Sequence, residues 1–117
     1  MSTPIDTAQL IKDMKDAATD IMDKDVTTLR GFSERQITAI AQQSELVALG
    51  ISSSQITEET REFFLDSIED MALNFAKTLR GLLIVTIEKV WNALVGVIWK
   101  AIEAATGLNL TGSEASA

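Results

Sequence analysis

Three observations predict an all-α fold. One proline, at position 4, and six glycines leave few places where a helix must stop. No segment sustains the alternation of apolar and polar residues that a half-buried strand needs. From residue 71 to residue 106, twenty-three of thirty-six residues are apolar, but Lys77, Arg80, Glu88, Lys89, Lys100 and Glu103 interrupt them, so the segment reads as a wide-faced amphipathic helix. The expected architecture is an antiparallel helical hairpin or small helical bundle with one long C-terminal helix, paired in coiled-coil fashion and completed by oligomerisation. Residues 1–106 form a single helical domain in this reading, and 107–117 a flexible tail.

Thr3, Pro4 and Asp6 suggest that the first helix starts near Pro4, with a hydroxyl cap, a proline at the first helical position and a carboxylate in the positive first turn. Ile11, Met14, Ala18 and Ile21 recur at helical spacing, and Asp13, Asp16, Asp20 and Asp23 fall opposite them. The stripe drifts on through Met22, Val26 and Leu29 to Gly31, where either a break or a continuous helix fits. Ser33 with Gln36 can make a capping box, and Phe32 with Ile37 a hydrophobic staple. The following helix buries Ile37, Ile40, Ala41, Val47 and Ala48, leaves Leu46 off the stripe, and meets a left-handed cap position at Gly50. Residues 51–55 are the connection.

Thr57 can cap the next helix, with Glu58 and Glu59 in its first turn, and no proline interrupts from there to Thr106. One long helix is expected, reaching roughly 75 Å if unbroken, with Gly81 and Gly96 as possible bends and Gly107 as its stop. Phe64, Ile68, Met71, Phe75 and Leu79 make its first apolar stripe. Glu58, Glu62, Asp66 and Asp70 make a separate acidic column. Residues 58–70 carry six acids against one arginine, whereas 71–106 carry four bases against two acids, a polarity that complements one helix dipole.

Seventeen acids against ten bases give a net charge of -7, which repels a phosphate backbone, and no cluster of basic residues in the sequence offsets it. Nucleic acid is not expected as a partner. Cysteine and histidine are absent. That removes disulfides, thiol and His-based nucleophilic catalysis, and Cys or His metal ligation, and suits a reducing cytosol. A cytoplasmic protein is expected, because residues 1–15 lack a basic region followed by an apolar one, and the Asn109-Leu110-Thr111 sequon then carries no glycan. An EF-hand loop begun at Asp20 would put Met22 and Lys24 at ligand positions, and the acidic column lacks a Glu-x-x-His partner. No metal, cofactor or enzymatic activity is expected.

On a helical wheel, Leu83, Ile87, Val90, Leu94, Val97 and Ala101 form one stripe, which Ile84, Trp91, Val95, Ile98 and Ile102 widen to about half the circumference. Glu88, Lys89, Asn92, Gly96, Lys100 and Glu103 occupy the other half, with Val85 and Trp99 among them. Leu83, Ile87, Val90, Trp91, Leu94, Val97, Ile98 and Ala101 are therefore the expected oligomer or lipid interface; Trp99, among polar neighbours, is placed to anchor a partner, a second copy or a lipid headgroup region, with burial in protein the default reading for both tryptophans. Residues 81–99 are nearly long enough to span a bilayer between Arg80 and Lys100, but Glu88 and Lys89 would lie near its middle. Burial against protein is the favoured reading. The expected function is that of a non-enzymatic, self-associating structural or adaptor protein, with another protein as a further partner. Association with a membrane or other apolar surface is the alternative.

Overall fold

The computed structural model describes residues 5–108 and Leu110. Four helices follow in order: α1 (Thr7–Met22), α2 (Glu34–Ser52), α3 (Glu58–Thr78) and α4 (Ile84–Thr106), with a 3₁₀ turn at Val26–Thr28. No strand occurs among the described residues. The expected roles of Thr3 and Pro4, and the tail after Leu110, lie outside them.

Asp6 opens α1, accepting the Gln9 N–H on its carboxylate at 3.1 Å, so Asp6 is the cap and not a first-turn residue, and Thr7 is the first helical residue. Its buried line is Leu10, Met14 and Ala18. Ile11 is only half-buried and Ile21 is exposed, which turns the expected stripe by about one residue. Asp23 ends the helix in the left-handed region, and Thr19 Oγ1 accepts the Val26 N–H at 3.1 Å, drawing Val26 fully into the core.

A break does occur at Gly31, and Ser33 caps α2 by accepting the Gln36 N–H at 3.1 Å. Ile37, Ile40, Ala41, Val47 and Ala48 are all buried, as their spacing predicts, and Leu46 is exposed. Ser44 is the buried polar residue on this face. Its hydroxyl donates to the Ile40 carbonyl one turn back, at 2.8 Å. Gly50 is not a cap. The helix runs on to Ser52 and Ser54 takes the left-handed position, while Gly50 lets Ile56 pack so close that an added Cβ would sit 2.6 Å from its Cδ1.

The largest departure from the sequence reading is that the expected single helix from Thr57 to Thr106 is two helices. After Thr78, Leu79 is extended, Gly81 has φ +83°, and the Arg80 N–H leaves the helical ladder to bond the Arg30 carbonyl at 2.9 Å. Gly81 is thus a true break, whereas Gly96 lies inside α4. The break lets α4 fold back on α3, where the Trp91 indole N–H donates to the Glu69 carbonyl at 3.0 Å. Folding back covers an apolar face that a straight helix would leave open.

Helix α4 is the centre of the packing. It touches α1, α2 and α3, most extensively α1, whereas α1 and α3 do not meet among the described residues. The shortest dimension, 19 Å against 42 and 30 Å, fits two helix layers about 8–10 Å apart. Val90, Leu94, Val95, Ile98, Trp99 and Ile102 project from α4 into one core with Met14, Val26, Ile37, Ile40, Ile68 and Phe75. Phe32 meets Phe75 edge-on with ring centres 5.8 Å apart.

Candidate interaction surface

Two connections meet at one end of the molecule and create the surface of interest. Gly31, at φ +86°, lies so close to α3 that a Cβ built there would be 1.8 Å from the Thr78 carbonyl oxygen. Glycine is required twice over, by the backbone angle and by the contact. The Arg80 N–H to Arg30 O bond locks the two connections together, bringing Arg30 and Arg80 to one place.

With Lys24, Thr28, Leu29 and Gly81, these two arginines line an open depression of about 460 Å³. Its lining holds three cations and no carboxylate, in a chain of net charge -7. The Lys12–Asp16 and Lys15–Glu34 ion pairs involve none of the three. Asp25 lies next to Lys24 in sequence, but its carboxylate accepts both the Thr27 hydroxyl and the Thr27 N–H. Those two bonds, the hydroxyl first, hold the Asp25 carboxyl below its ordinary pKa.

Immediately beyond Gly81 the chain presents an apolar step. Leu83 is 73% exposed, Ile84 78% and Val85 53%. Leu83 stands at the N-cap of α4 in extended conformation and has no side-chain oxygen with which to cap it. Fully burying a side chain of this size is worth about 1.5–3 kcal/mol, so three adjacent exposed ones form a substantial unused apolar surface.

This surface is only partly the one expected from sequence. Val90, Leu94 and Ile98 are fully buried within the chain, and Ile87, Trp91, Val97 and Ala101 are half-buried. Of the eight expected interface residues only Leu83 is exposed, because α4 has three helical neighbours and its stripe is used as core. Trp99 is 4% exposed, buried in the core as its default reading has it, although the helical wheel sets it among polar neighbours. Ile84 and Val85 were not singled out as interface residues. The signal was local: a glycine followed by four apolar residues, none of which can cap the helix they start.

At the opposite end of α3, about 30 Å away along its axis, the character reverses. Thr57, Glu58 and Glu59 line an open depression of about 640 Å³, and Phe63, one turn beyond Glu59, is 72% exposed. Phe63 leans edge-on against Phe64 with ring centres 5.3 Å apart. Glu62 is exposed beside it, and Leu46 and Leu49 are exposed on the C-terminal half of α2, which leads into this end.

No helix among the described residues is long and apolar enough to cross a membrane, which removes residues 81–99 as a span. The break at Gly81 shortens the segment, and Glu88 and Lys89 lie within what remains. Comparison with protein-family models, with curated proteins and with solved structures found no match to this chain.

Proposed function

We propose that the chain is a non-enzymatic structural or adaptor protein that acts by self-association, using the apolar step Leu83, Ile84 and Val85 in place of the stripe expected from sequence. The observation that carries this reading is the contiguous exposure of those three side chains at the uncapped start of α4. Within each copy we read the four helices as a small up-and-down bundle. Support comes from the short connections on either side of α3, from the Trp91 bond to Glu69, and from a shared depression where Ile5 and Gln9 face Ala101 and Ala105.

Sedimentation equilibrium tests the reading directly. Wild-type protein at tens of micromolar, on the order of concentrations where a useful assembly persists, should form dimers or larger species. Ile84→Asp should shift it toward monomer. A wild-type monomer throughout this range refutes self-association. Docking of the same step on an anionic lipid surface is the second reading, favoured by the adjacent Lys24, Arg30 and Arg80. It predicts co-sedimentation with phosphatidylserine vesicles but not with neutral ones.

A further inference from the structure

We infer that copies of this chain join head to tail: the basic and apolar end around Arg30, Arg80 and Ile84 of one copy seats on the acidic start of α3, with Phe63, of the next. This rests on the self-association reading and adds a direction to it.

Charge complementarity carries the inference. One end presents three cations, none of them in the Lys12–Asp16 or Lys15–Glu34 ion pair, around a depression whose lining holds no carboxylate, beside an exposed apolar step. The other presents Glu58, Glu59 and Glu62 around exposed Phe63. Glu59 and Phe63 are four residues apart and share a helix face, so acid and ring would meet a partner together. A two-fold contact uses the same patch on both subunits. Pairing the basic end with itself would set Lys24, Arg30 and Arg80 against a second set of cations, and pairing the acidic end with itself would do the same with carboxylates. Only the mixed contact matches charge to opposite charge and apolar surface to apolar surface.

Because the two ends lie at opposite termini of α3, one contact leaves a free end on each copy. Such a contact closes into a ring if the rotation between copies allows it, and otherwise extends as a filament. The junction's charged rim also makes assembly sensitive to salt, since exposed pairs are screened over about 8 Å at physiological ionic strength.

The test uses two blocked variants of the whole chain. A head-blocked variant carries Arg80→Glu and Ile84→Asp; a tail-blocked variant carries Glu59→Lys and Phe63→Lys. All four positions are exposed, an acid in the first turn of α4 favours that helix, and Glu58 stays in the first turn of α3 when Glu59 is replaced, so circular dichroism should report both variants folded. In sedimentation velocity the wild type should form a concentration-dependent series of species. Each variant alone should be monomeric, with association weakened roughly tenfold or more. Their equimolar mixture should give a dimer and nothing larger, because it contains only one competent pair of ends.

If the wild type assembles but either variant alone assembles as well as the wild type does, or the mixture stays monomeric, the direction is wrong while self-association stands. A monomeric wild type overturns both. A monomeric wild type that binds phosphatidylserine vesicles through Arg80 also overturns both, and identifies lipid as the occupant of the basic end.

Discussion

Replacing Gly31 with alanine should be among the most damaging single-methyl additions this chain can suffer. The backbone there has φ +86°, a region that costs an L-residue about 1–2 kcal/mol. The added Cβ would also fall 1.8 Å from the Thr78 carbonyl oxygen and 2.9 Å from its carbon. Both are main-chain atoms, so no rotamer change relieves the collision, and the two connections must separate. Separation breaks the Arg80 N–H to Arg30 O bond beside it, worth about 0.5–1.5 kcal/mol. The total is about 1.5–3.5 kcal/mol, or roughly 6–14 °C in melting temperature at about 4 °C per kcal/mol for a chain of this size. Gly81→Ala and Gly107→Ala are matched controls. Both glycines have nearly the same φ, +83° and +81°, with nothing within 4 Å of the new Cβ, so only the backbone term applies: about 1–2 kcal/mol. Gly96→Ala, in open space inside α4, should change sign and stabilise by about 0.5–1 kcal/mol. Thermal melts by circular dichroism at one protein concentration compare all four. If Gly31→Ala melts within error of Gly81→Ala, the two connections are not in contact as described.

Leu94→Ala should destabilise the fold by about 2–5 kcal/mol through a core cavity, whereas Leu83→Ala should leave the melt nearly unchanged and weaken association instead; urea titrations and sedimentation separate the two effects. Trp99 is buried more deeply than Trp91, so the Trp91→Phe variant, which reports Trp99, should fluoresce to the blue of the Trp99→Phe variant; the reverse order refutes the burial assignment. Asp25 is depressed below the ordinary carboxylate value of 3.8, so the ionised form favours the fold. Its contribution is complete above the unfolded value and is lost as pH falls through the lower folded one. Asp25→Ala should therefore destabilise at neutral pH and make no further difference at the acid end of a melt series.

The sequence resolves capping and local breaks better than it resolves neighbours. Ser33 stands where α2 starts because its side-chain oxygen satisfies the free Gln36 N–H, and at the start of α3 the Thr60 hydroxyl accepts the Thr57 N–H, local events visible in a few residues. The Ile37 to Ala48 stripe is equally legible, since one side of α2 faces the core and the other solvent. Gly81 is legible in the sequence only as a possible bend, and what makes it a full break is partly remote: Arg30, fifty residues upstream, takes the Arg80 N–H that a continuous helix would have used. The polar setting of Trp99 on the helical wheel has a related explanation. A helical wheel ranks faces by polarity, but α4 is covered by three helices, so residues near the edge of its stripe are buried too. The apolar step became apparent only once the break had set Leu83, Ile84 and Val85 outside the core.

The central place of α4 has a consequence for how the chain acquires its structure. Its neighbours α1, α2 and α3 all precede it, and its most extensive contact is with α1, the helix furthest from it in sequence. Contacts of such long separation close large loops and slow folding relative to a chain of purely nearest-neighbour helix pairs. On the ribosome, the first three helices emerge without the six core side chains that α4 supplies, and the parts of their apolar faces that α4 covers stay open until it is made. The native packing is therefore a late, collective event, and the interval before it is when the nascent chain is most exposed to aggregation.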